Sequence, residues 1–441
     1  MSHRPSSAAR TVARARLALL APIALAASLI PSAARAEDAL DSGDTAWVLT
    51  STALVLFMNI PALALFYGGL VRTKNVLSLL MQCLALTAIV SLLWLCGAYS
   101  LSFAEGNALV GDLSKAFLVG IDGATLSGTI PEPLFFAFQM TFAVITPALV
   151  IGAFAERMRF SAMLVFSSLW VVVVYAPICH MTWGGGLFSQ WGVLDFAGGI
   201  VVHITAGVAA LVTCLVVGPR DGYGRTAMPP HNLTMTFMGT AMLWVGWFGF
   251  NAGSALGANG TAAMALVVTH VSACAATLAW MAIEWVKFGK PSVLGAATGS
   301  IAGLAAVTPA SGYIGPVGAL AIGLASGSIC WYAAAVLKNR LGYDDSLDVF
   351  GVHGVGGFVG TLLAAVFASS AFGGGGLADG ATVASQLGAQ AAAAAITIVY
   401  TGIASYALLK LTGLAVALRV DDADERMGLD LSLHGETGYN L

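Results

Sequence analysis

The sequence is poor in charge. Only 9% of its 441 residues are Asp, Glu, Lys or Arg, whereas a soluble domain carries about a quarter. That scarcity argues against a water-soluble globule. The formal net charge of −3 removes the electrostatic footprint a nucleic-acid binder needs. Cysteine is no more informative as a scaffold. Cys83, Cys96, Cys179, Cys214, Cys274 and Cys330 all fall in apolar runs, and none forms a CxxC pair. They read as small packing residues, not as a disulfide framework or a zinc site. HExxH, GxSxG and P-loop motifs are missing as well, so enzymatic chemistry, a metal site or a cofactor has little support.

What is present is apolar. Hydrophobic residues make up 58% of the chain and glycine contributes 52 residues, as expected where helices pack closely in lipid. The first 36 residues stand apart. "MSHRPSSAARTVARAR" is basic, "LALLAPIALAASLI" is a short apolar core and "SAARA" ends in small residues. This pattern predicts a signal peptide cleaved after Ala36; an uncleaved first span is the alternative. The membrane domain then covers 37–415, and 416–441 forms a cytoplasmic tail.

From Trp47 onward, apolar runs of about 20 residues recur, each long enough to cross a bilayer as a helix. Spans are expected near 46–70, 76–102, 133–155, 160–180, 199–218, 234–255, 263–285, 293–310, 317–337, 347–370 and 390–415. The fold class is therefore all-α and polytopic, with eleven transmembrane helices. Charge gives the orientation. Arg72, Lys74, Arg157, Arg159, Arg220, Arg225, Lys287, Lys290, Lys338, Arg340, Lys410, Arg419 and Arg426 fall in or beside alternate connections or the tail. Only Lys115 lies on the other side. The positive-inside rule puts those loops and the C-terminus in the cytoplasm. The signal peptide independently puts the N-terminus outside, and an odd number of spans joins the two.

An internal echo is visible. "LDFAGGIVVHITAG" enters the fifth span and "LDVFGVHGVGG" enters the tenth. Five spans per half would insert the second copy upside down, giving two inverted five-helix repeats plus an eleventh helix. Such repeats place a shared site near the bilayer midplane. His203 lies eight residues after Asp195 and His353 five after Asp348, so the two imidazoles enter from opposite faces. An ionisable ring in hydrocarbon is costly without a partner and marks a functional site; two separate, backbone-bonded histidines are the plainer alternative. His270 has no such twin and reads as a packed residue.

"MTWGGG" and "LWVGWFGFNAGSA" are the other dense stretches. Trp183, Trp247, Phe250 and Ser254 offer aromatic faces and a hydroxyl that can hold a small cation. Trp183 alone also fits an interfacial belt tryptophan. Asp195 suits an N-cap; the functional alternative, which can hold alongside it, is to orient a cation site without touching the cation.

Together these segments resemble the ammonium transporter (Amt/Mep) family, bacterial branch. The resemblance rests on "FYGGLVRTKNVLS", "ERMRFSA", "HMTWGGG", "LDFAGG", "VVH", "PHNL", "GWFGFNAGSA", "GKPS", "AGLAAVTPASGYIG", "DVFGVHGVGG" and "GLDLSLHGETGYN". It implies a homotrimer in the inner membrane with one pore per subunit, moving NH4+/NH3 and methylammonium. It also implies an outer ammonium site at Phe142, Trp183 and Ser254 with Phe138 nearby, and a gate of stacked rings at Phe142 and Phe250. Twin pore histidines map to His203 and His353. Pore walls map to Leu149, Leu243, Trp247 and Val349, and Asp195 supports the site. A PII-class nitrogen signal protein is the implied cytoplasmic partner. One departure is Ser311, where a cysteine is expected. The competing functions are an ammonium sensor, against which stands the short tail, and a neutral small-molecule channel.

Overall fold

The computed structural model describes residues 39–439; the signal-peptide reading lies outside the described residues. Among the described residues ten helices are long and apolar enough to cross a membrane. They are α1 (Ser42–Leu70), α2 (Thr73–Phe103), α3 (Glu132–Phe154), α4 (Phe160–Gln190), α5 (Gly199–Val217), α6 (Leu233–Gly253) and α7 (Gly260–Phe288), then, after the shorter α8 (Val293–Val307), α9 (Pro316–Leu341), α10 (Phe350–Phe367) and α11 (Val383–Ala415). The expected span at 293–310 is thus a 15-residue helix. At 1.5 Å per residue it is about 22 Å long, short of a hydrocarbon core of about 30 Å.

Several helices run longer than their apolar stretches, because polar turns extend them. They are also not regular. Wider π-helical turns interrupt α1, α2, α4 and α9 and begin α5 and α10. In α4 the local cause is Pro177, which cannot donate an N–H one turn back. The free carbonyl of Val173 accepts instead from the Tyr400 hydroxyl on α11 at 2.6 Å. His203 and His353 both sit in π-helical turns, a distortion common at functional sites.

Small residues bring the two histidine helices together. A Cβ on Gly207 of α5 would come within 2.2 Å of the Gly354 backbone of α10. The crossing is therefore backbone against backbone, the packing that replaces hydrophobic drive in lipid.

One end of the bundle, the Arg157 end, is pinned by charge. Arg157 is fully buried at the end of α3. Its guanidinium donates to the carbonyls of Ala153, Ala155, Gly218 and Asp344 and to the Ser346 hydroxyl. Burial lowers its pKa to about 10, so it remains a cation at neutral pH. The neighbouring Glu156 accepts from Arg72 and pairs with Arg220. At the opposite end, Lys115, the one charge that breaks the loop pattern, pairs with Glu132 at 2.6 Å. Glu132 also accepts from the Tyr99 hydroxyl, so this cation is neutralised where α3 begins.

Candidate functional site

Asp195 organises the Trp183 end. Its carboxylate accepts four backbone N–H groups: Gly198 at 2.9 Å, Gly199 at 2.6 Å, Ile200 at 2.8 Å and Val201 at 3.2 Å. These are the orphan donors of the α5 N-terminus. The chain can turn so tightly because Gly198 adopts φ +118°, a region L side chains avoid. Burial pushes the Asp195 carboxyl up to about 6, while the four N–H donors pull it down. The Asp195 carbonyl accepts the Trp183 indole N–H at 2.8 Å. One residue thus caps the His203 helix and orients the tryptophan ring.

The tryptophan faces a cluster of rings. Trp183 lies edge-on to Phe142 with centroids 6.0 Å apart, and Phe138 meets Phe142 edge-on at 5.0 Å. Phe142 and Phe250 are closer, 4.3 Å apart and tilted by 39°. The Ser254 hydroxyl spends its hydrogen on the Phe250 carbonyl at 2.8 Å. Its lone pairs stay available as acceptors. Trp183 and Ser254 border a cavity of about 310 Å³, which Gln139 and Phe135 also line.

Beyond the Phe142–Phe250 pair, the space narrows. A cavity of about 10 Å³ is lined by Leu149, Leu243, Trp247, Phe250, His203 and His353, together with Met58, Leu63, Phe66, Ile145, Val202 and Ile301. That is about the volume of one water-sized probe. The two histidines meet there: their Nδ1 atoms are 3.2 Å apart. The Trp247 ring stacks against His203 at 5.6 Å, and its N–H is taken by the Thr308 hydroxyl. His353 and Phe66 also line a third cavity, of about 280 Å³, towards the Arg157 end. Wide, narrow and wide spaces therefore follow one another.

Val349 borders neither the narrow nor the third cavity. Its side chain packs where a Cβ on Gly152 would fall. His270 lies outside the site, on an exposed face, accepting from Trp244 Nε1 at 3.2 Å. Ser311 is buried and donates to the Thr308 carbonyl. Among the described residues no group of three His, Cys, Asp or Glu could hold a metal ion.

The model of the Ammonium Transporter Family matches residues 46–439. This chain belongs to the ammonium transporter family. It is 47% identical over 405 residues to an ammonium transporter of Bacillus subtilis, covering 91% of this chain and 99% of that protein. An ammonium transporter of Aquifex aeolicus is 44% identical over 425 residues, covering 95% and 99%. The crystal structure of Candida albicans Mep2 superposes with a TM-score of 0.81 at 35% identity, covering 87% of each chain. A structure titled "Sensor Amt Protein" gives 0.83 at 29% identity, covering 89% and 98%.

Sequence reasoning missed one partner in this family member. The Leu-Asp dipeptides pair Asp195 with Asp348. The structure instead gives the second cap to Asp345, whose carboxylate accepts the Phe350 N–H at 2.7 Å. Burial and the nearby Asp348 push the Asp345 carboxyl up to about 6. Asp348 turns away, with φ +60° and its carboxylate on Lys338. The usable signal was spacing: Asp345 precedes His353 by eight residues, as Asp195 precedes His203.

Proposed function

We propose that this protein carries ammonium across the membrane. NH4+ is recruited at Phe142, Trp183 and Ser254, with Phe138 behind them. It passes the Phe142–Phe250 pair and crosses the narrow lumen as ammonia. The observation that carries this reading is the sequence of spaces: an aromatic and hydroxyl cavity, a ring pair, then an apolar lumen bordered by two imidazoles.

Physical chemistry favours the order. A cation over an aromatic face gains about 0.5–2 kcal/mol, and the Ser254 oxygen accepts one of its N–H groups. A bare ion in the apolar lumen costs several kcal/mol even after relaxation. Shedding the proton removes most of that cost. Ammonia then meets the histidine pair, and the proton travels separately along His203 and His353, so that net NH4+ charge moves. Apart from that proton transfer no bond is made or broken.

The wider assignment belongs to the same proposal. Residues 1–36 form a cleaved signal peptide, and 37–415 cross the inner membrane eleven times, the short α8 lengthened by the turns at 308–313, as two inverted repeats plus α11, N-terminus out and C-terminus in. Basic loops at the Arg157 end support that orientation. Three copies associate. What supports association is His270: a polar ring on an exposed face, ten residues into α7, is costly against lipid and is better covered by a second copy. A PII-class signal protein docks on the basic cytoplasmic face.

Uptake of labelled methylammonium by cells lacking their own ammonium transporters tests the reading. Saturable uptake inhibited by ammonium is expected. Binding without uptake would favour the sensor. Uptake of urea or other neutral solutes in its place would favour the neutral channel.

A further inference from the structure

The helix α11 stands outside the proposed repeat, yet two of its polar side chains reach the site's supports, Gln390 above all. Gln390 is fully buried. Its Oε1 accepts the Leu194 N–H at 2.7 Å and the Gln386 amide at 3.3 Å. Its Nε2 donates to the Leu194 carbonyl at 2.7 Å and to the Thr361 carbonyl at 3.0 Å. All four bonds an amide can make are made. The orientation is also fixed: flipping the amide would set donor on donor at Leu194 N and acceptor on acceptor at Leu194 O.

The three connected segments matter more than the number of bonds. Leu194 immediately precedes Asp195, whose carbonyl orients Trp183 and whose carboxylate caps the His203 helix. Thr361 lies on α10 eight residues after His353, about two turns along that helix. Gln386 assists by donating to the Gly192 carbonyl at 2.9 Å. A short loop, free to shift by an ångström, would move Trp183 with it. Gln390 pins both polar backbone groups of one loop residue, as a neighbouring strand would.

We infer that Gln390 is a positioning residue for the Trp183 cavity, locking the loop segment at residues 192–195 to the helix that carries His353. It touches no substrate and acts through Asp195 and Trp183. The inference rests on the ammonium reading of that cavity.

The test uses Gln390→Met, which keeps length and volume and removes every hydrogen bond. Ser405→Ala is the control; Ser405 lies on the same buried face of α11 and accepts from Trp170 Nε1, remote from the loop. Methylammonium uptake is measured against concentration and normalised to transporter in the membrane. Expected for Gln390→Met is a half-saturation concentration raised roughly fivefold or more with capacity per transporter changed less than about twofold. Ser405→Ala leaves half-saturation unchanged. Lowered capacity at unchanged half-saturation in Gln390→Met would overturn the proposal, leaving Gln390 as general packing. Hydrogen–deuterium exchange on the unsubstituted protein gives a second reading should Gln390→Met fail to reach the membrane. The Leu194 amide is expected to exchange as slowly as α5 amides; exchange at an open-loop rate overturns the proposal. A wild-type protein that carries no methylammonium would instead defeat the ammonium reading and leave the exchange result standing.

Discussion

The Nδ1 atoms of His203 and His353 lie 3.2 Å apart, with the two rings inclined by only 20°. Each comes from a different helix, and Gly357 makes room, since a Cβ there would meet the His203 Cβ at 2.7 Å. One ring donates and the other accepts, so a single N–H serves both nitrogens. Among the described residues the His203 Nε2 has no partner in the protein, and His203 borders the narrow cavity.

If the pair acts as one unit, His203→Ala and His353→Ala each abolish charge-coupled ammonium transport while the protein still assembles. The double variant is little worse than either single, because the unit is already broken. Currents on a supported membrane after an ammonium pulse measure all three. Full wild-type current and selectivity in either single variant would reduce the pair to packed side chains.

The Trp183 cavity yields a second expectation. Ser254→Ala removes the oxygen offered to a cation, and Trp183→Leu removes an aromatic face. A hydrogen bond to a charged group contributes about 1.5–3 kcal/mol, so Ser254→Ala weakens methylammonium inhibition roughly tenfold or more. Trp183→Leu relaxes discrimination against K+. Competition and K+ current assays check both, and unchanged affinity and selectivity in the two variants sinks the assignment.

Much of this architecture is legible in the residues because lipid imposes simple rules. Runs of apolar residues and alternating basic loops mark the helices, and an imidazole inside such a run is conspicuous. Helix ends are less legible: α11 begins at Val383, since polar turns outside the apolar stretch stay helical, whereas α4 breaks at Gly184–Gly186 before one last turn, Leu187–Gln190. Asp345 was hidden because dipeptide similarity favoured Asp348, while capping depends on distance from the helix start. Gln390 was hidden for another reason. Its partners are backbone groups 196 and 29 residues away in sequence, and no local pattern records them.

The tail supplies a third prediction. It is already engaged by its own chain: Asp430 accepts from the Leu77 and Ser78 N–H groups, Leu429 N–H donates to Asn75, and the Lys74 ammonium donates to the Glu425 and Arg426 carbonyls. A docked tail can still form one edge of a partner surface together with the basic loops. Membranes from ammonium-shocked cells are expected to retain a PII-class protein, and a chain truncated before Leu429 to lose it. No retention by either would show that the tail packs only on its own chain.

The final prediction separates the two roles of Asp195. Asp195→Asn keeps the shape but replaces one oxygen with an NH2 group. Two of the four α5 N–H groups then face a donor. Each buried unsatisfied donor costs about 1–3 kcal/mol, and the helix also loses a favourable negative charge at its N-terminus, about 0.3–1 kcal/mol. The thermal midpoint in detergent is therefore expected to fall by several degrees. A residue that only caps α5 would change nothing else. Asp195 also holds Trp183 through its carbonyl, and relaxation of the cap moves that carbonyl. Half-saturation by methylammonium should accordingly rise along with the fall in stability. A lower midpoint with unchanged half-saturation would leave Asp195 as a helix cap alone. An unchanged midpoint would refute the cap itself.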